Sequence, residues 1–84
     1  MEKLRIEEIG DINYDYPYLE VFLNDKAEPF MEVSINEKKE LIFKYYASNF
    51  DTLMNVEEWN YILMTAREFL AKALKNEDDF LKLL

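Results

Sequence analysis

Between residues 18 and 23 the side chains alternate. Leu19, Val21 and Leu23 fall on one side of an extended chain, and Tyr18, Glu20 and Phe22 fall on the other, which is the two-residue period of a strand. Residues 24–29 (NDKAEP) are polar turn formers that end it. A second alternation sets Met31, Val33 and Ile35 against Phe30, Glu32 and Ser34, and residues 36–39 (NEKK) read as a short hairpin loop. ELIFKYYA then places Leu41, Phe43 and Tyr45 on one face and Ile42, Lys44 and Tyr46 on the other. Consecutive short strands with tight polar connections predict an antiparallel meander. Leu4 and Ile6 alternate as a strand does, although the segment 3–9 also admits a helix; we expect a strand that extends the sheet to four.

From Val56 onward the period changes. Val56, Trp59, Ile62, Leu63, Ala66, Phe69, Leu70, Ala73 and Leu74 recur at three- and four-residue spacing, one broad apolar stripe on a long helix. Glu58, Arg67, Glu68, Lys72 and Lys75 lie off the stripe, and Glu68 and Lys72 are spaced for a helical ion pair. Asn55 with Glu58 three residues on forms a capping box, Met54 and Trp59 can staple across it, and Glu57 and Glu58 suit the positive end of the dipole. After Lys75, Asn76 followed by three acids looks like the start of a new first turn, so a second short helix or a kinked continuation carrying Phe80, Leu81 and Leu84 is expected. The predicted fold is α+β: a three- to four-stranded antiparallel meander with a long C-terminal amphipathic helix packed on its aliphatic face, plus a short terminal helix.

Composition narrows the chemistry. The 84 residues form a single domain; half are apolar and 15% aromatic, too hydrophobic for a disordered chain despite a net charge of −8. There is no cysteine and no histidine, so disulfides, thiolate metal sites, cysteine–histidine and serine triads and imidazole acid–base catalysis are all ruled out. Carboxylates could in principle pair for glycoside hydrolysis, but so short a chain leaves little room for a substrate cleft, and we expect no enzymatic activity. Glu7–Glu8, Glu57–Glu58 and the run Glu77, Asp78, Asp79 are adjacent in sequence, unlike the spaced ligands of a calcium loop, and Gly10 stands alone without a phosphate loop. No cofactor or metal is expected. The charged N-terminal stretch MEKLRIEEIG has no apolar run of signal-peptide or membrane-span length, which leads us to expect a soluble, cytoplasmic protein without a membrane partner. Eighteen acids against ten bases repel phosphate and disfavour nucleic acid; such a surface suits a basic protein partner, or simply keeps a small domain soluble.

The candidate site is the sheet face away from the helix. Extended back through Pro17, Tyr14 and Tyr16 share parity with Tyr18, Glu20 and Phe22, and Glu32 and Tyr46 project from the same face, with Phe30 and Ile42 as further candidates. Aromatic residues mixed with acids on one sheet face suit an interface, since tyrosine supplies contact area and a polar handle together. A chain tail, a second copy of the chain or a partner could each cover that face.

The stretch PFMEVSINEKKELIF followed by VEEWNYILMTAREFLAKALKNEDDF, covering residues 30–80, resembles small acidic immunity proteins that bacteria make beside toxins. The resemblance implies an inhibitor whose acidic, aromatic surface plugs the basic active site of a cognate toxin. The alternative is a homodimeric structural or regulatory domain that self-associates through the aromatic face.

Overall fold

The computed structural model describes residues 3–47 and 51–84. Four strands, β1 (Leu4–Ile9), β2 (Tyr18–Leu23), β3 (Met31–Ile35) and β4 (Leu41–Tyr45), precede one helix, α1 (Val56–Lys82). The strands form one antiparallel sheet in the order β1-β2-β3-β4, so each pairs with its sequence neighbour. The α+β class and the four-stranded meander are as the alternation predicts.

Register follows the apolar pattern. Leu4 faces Leu23, Ile6 faces Val21, Leu19 faces Val33 and Val21 faces Met31, so one side of the sheet is continuously aliphatic. Those residues form the core with Ile62, Ala66 and Phe69 of α1, and Met31, Ile62, Val21 and Val33 are its largest fully buried side chains. The β3–β4 hairpin is closed by Asn36, whose Oδ1 accepts from the N–H groups of Lys38 and Glu40 at 3.0 and 2.9 Å. This network holds Lys39 at φ 64°, a left-handed conformation that side-chain-bearing residues seldom take.

Several expectations are corrected. Phe30 is not on the outer face: it joins the core cluster and lies 6.3 Å from the Tyr45 ring, because it precedes β3, where strand parity does not yet bind it. Glu58 is buried rather than lying off the apolar stripe, and Val56, counted in the stripe, is 73% exposed. Lys72 reaches Glu8 of β1, at 3.8 Å, in the place of a helical pair with Glu68. There is also no separate terminal helix. α1 runs unbroken for 27 residues through Asn76, and the acids read as a new start are held where they stand: Glu77 by Lys39 at 3.3 Å and Asp79 by Lys75 at 3.3 Å. At about 1.5 Å per residue the helix is about 40 Å long, roughly twice a six-residue strand. Its last turns overhang the sheet, leaving Phe80, Leu81, Leu83 and Leu84 exposed. The tail therefore does not fold across the open face.

Candidate functional site

The open face is built by the residues whose neighbours on each strand fill the core. Across it runs a transverse row set by register alone: Glu7 of β1 faces Glu20 of β2, Glu20 faces Glu32 of β3, and Glu32 faces Lys44 of β4. Three carboxylates thus stand side by side. Like charges directly opposite on adjacent strands are destabilising, by a few tenths to about 1 kcal/mol per pair.

The ends of the row are compensated and its middle is not. Arg5 donates to Glu7 at 2.6 Å and lies over the Phe22 ring, 4.2 Å from its centroid. The Tyr46 hydroxyl donates to Glu32 Oε1 at 2.9 Å, with the Lys44 ammonium 5.5 Å from the Tyr46 ring centroid. Glu20 makes no ion pair among the described residues and sits between two acids.

The seven predicted site residues divide. Tyr14, Tyr18, Glu20, Glu32 and Tyr46 come together on the open face, with Tyr14 edge-on to Tyr18 at a centroid distance of 5.7 Å. Phe22 has the expected parity but only 5% exposure, because Arg5, its direct cross-strand neighbour, lies over it. Tyr16 is the exception in direction. Its hydroxyl hydrogen-bonds the Glu77 carboxylate on α1, tying it to the helix end, while the residue still lines the cleft beside Tyr14 and Tyr18. Residues 11–17 are a turn rather than a continued strand, with Asp11 accepting from the N–H of Asn13 at 2.8 Å, and alternation lapses there. Arg5, Glu7 and Lys44 complete the face. Their parity was readable, but the row appears only once the register of all four strands is known.

Where residues 11–17 meet the end of β3, a cleft of about 330 Å³ opens onto the same face, lined by Tyr14, Asp15, Tyr18, Glu32, Ser34 and Glu37. It presents three tyrosines, Tyr16 among them, and three carboxylates with no basic side chain. The acids do not converge: among the described residues no group of three or more is arranged to hold a metal ion. Nor, among those residues, is any helix long and apolar enough to cross a membrane.

The field of the row shows in its tyrosines. Desolvation, then the hydrogen bond to Glu32 and the nearby charges of Glu32 and Glu20, push the Tyr46 hydroxyl up to about 12. Desolvation first, and then Glu20, Asp11 and Glu32, raise Tyr18 as well. Because the folded value of Tyr46 lies above the ordinary 10, its contribution to stability is complete below about pH 10 and is lost as the pH rises towards about 12. Tyrosinate absorbance during an alkaline titration should therefore end in a late step that Tyr46→Phe removes; a late step that survives the substitution assigns it elsewhere. For Glu77 the sign is opposite. The Tyr16 hydrogen bond and Lys39 hold its carboxyl below the usual range, so its contribution is lost as acid protonates it.

Comparison of the chain with protein-family models, with curated proteins and with solved structures finds no match in any of the three.

Proposed function

We propose that the protein is a non-enzymatic binding module that inhibits a basic protein partner, in the manner of an immunity protein neutralising a toxin, by seating its open sheet face in that partner's active-site cleft. The observation that carries this reading is Glu20. It is flanked on both neighbouring strands by carboxylates and lacks an ion-pair partner among the described residues, an arrangement that costs the fold stability. A partner's lysine or arginine would supply the missing counter-charge, and the exposed tyrosines would supply desolvated contact area around it. The resemblance of residues 30–80 to immunity proteins and the net charge of −8 agree with it. Self-association through this same face is the weaker reading, because stacking two copies brings acidic rows together.

The test begins with the protein encoded beside this one, co-expressed and assayed for binding by calorimetry and for relief of toxicity. Affinity should fall steeply with salt. Glu20→Lys and Glu32→Lys should each weaken binding at least about tenfold, as loss of a close charge pair does. Glu20→Gln should leave the isolated fold as stable or more so, by up to about 1 kcal/mol in urea unfolding. If Glu20→Gln destabilises the fold, the carboxylate is structural and the argument from it collapses. A neighbour that neither binds nor is toxic would count against the immunity reading itself.

A further inference from the structure

The two edges of the sheet are unlike. β1 carries Arg5, Glu7 and Glu8, charges of the kind that keep a further strand away. β4 has Lys44 as its one charge, no proline and large apolar side chains on both faces, with Ile42 43%, Phe43 37% and Tyr45 54% exposed. On the helix side, Trp59 meets Tyr45 edge-on at 6.2 Å, yet α1 leaves Phe43 and Tyr45 largely open to water.

The hydrogen-bonding phase of this edge is fixed. The Asn36 N–H donates to the Glu40 carbonyl and the Tyr46 N–H donates to the Phe30 carbonyl, so the even-numbered residues of β4 turn their main-chain groups towards β3. Alternation then aims the N–H and C=O groups of Leu41, Phe43 and Tyr45 outward, and among the described residues no strand lies on that side.

We propose that β4 is a dimerisation edge and that its occupant is the β4 strand of a second copy of this chain, added antiparallel about a two-fold axis at Phe43. In that register Phe43 faces Phe43 of the second copy, Leu41 faces Tyr45, and Ile42 faces Lys44. Every outward main-chain group of the three odd-numbered residues is matched, giving about six inter-copy hydrogen bonds. On the helix side Leu41, Phe43 and Tyr45 of both copies close into one apolar strip bounded by the two Trp59 rings. On the open face no like charges stand directly opposite, and the two diagonal neighbours of Lys44 in the second copy are Glu40, of opposite sign, and Lys44, of like sign. The strand thus meets its own reversed sequence with every outward main-chain group matched and Leu41, Phe43 and Tyr45 set only against one another, which is what favours a second copy as the occupant. The eight-stranded sheet that results keeps both acidic rows uncovered, so this inference does not depend on the inhibitory function.

Sedimentation of the isolated chain over a concentration series should show the mass rising from one chain to two. Phe43→Lys, which sets two ammonium groups across the axis, should weaken the dimer at least about tenfold. A register test covers the case in which that variant fails to fold. The chain has no cysteine, so Ile42→Cys and Lys44→Cys each introduce a single thiol. Residues paired as 42 with 44 lie about 4.5 Å apart at Cα, within disulfide reach. Under mild oxidation the mixture of the two variants should form covalent dimer faster than either alone. A single-chain mass up to millimolar concentration overturns the proposal. So does a dimer whose mixed variants cross-link no faster than the separate ones, since that dimer uses another surface.

Discussion

Phe69→Ala is expected to remove about 3–5 kcal/mol of folding stability. Phe69 is 5% exposed and lies in the single core, among Leu4, Leu19, Val33 and Ile62. Truncation loses the transfer free energy of the ring and leaves a cavity that a sheet pinned by main-chain hydrogen bonds can only partly close. A chain of 84 residues has a total of about 4–12 kcal/mol, so the variant should lose roughly a quarter of its stability or more. Urea unfolding followed by Trp59 fluorescence measures this, with Val56→Ala as the control. Val56 lies in the same helical stripe by sequence but is exposed, and its truncation should change stability by less than about 0.5 kcal/mol. Similar losses at the two positions would mean that α1 does not lie on the sheet as described.

The second large effect is expected at Glu58. Its Oε1 accepts from the Asn55 N–H at 2.9 Å, while the Asn55 side chain accepts from the Glu58 N–H at 2.8 Å, so two orphan donors of the first turn depend on this pair. Its Oε2 is buried and lacks a hydrogen bond among the described residues; the Lys3 ammonium stands 3.5 Å away and donates instead to the Leu53 carbonyl, at 2.9 Å. The ion pair therefore balances charge without saturating the oxygen. Glu58→Ala should cost about 2 kcal/mol, more than the ~1 kcal/mol of an ordinary exposed cap, because it removes the acceptor of the Asn55 N–H together with a side chain that is itself buried. Glu58→Gln keeps a capping acceptor and gives up only the charge, so it should cost less. If the two variants are equally unstable in urea, the charge pair with Lys3 rather than the cap is what matters.

These residues also show how much the sequence made readable. Strand parity at Leu19, Val21, Met31 and Val33, and the capping box at Asn55 and Glu58, are local signals, and they survive folding unchanged. What escaped was decided across the chain. The helix continues past Asn76 with Glu77 tied to Tyr16 and Lys39, residues from a loop and a hairpin far upstream that no window around residue 76 contains. The same contact turns the Tyr16 hydroxyl towards the helix end. Phe22 kept its face and lost its exposure because register put Arg5 directly opposite it. The acidic row is the clearest case: each glutamate is unremarkable in its own strand, and only pairing three strands sets Glu7, Glu20 and Glu32 in line.

The order of the elements has a consequence for synthesis. Each strand pairs with the one made immediately before it, so the sheet closes through short loops and can assemble in steps as the chain lengthens. Its aliphatic side has no cover until α1, the last element, has been made. A sheet that formed before α1 was made would hold Val21, Met31 and Val33 against water, a hydrophobic hazard that the docking of the helix ends.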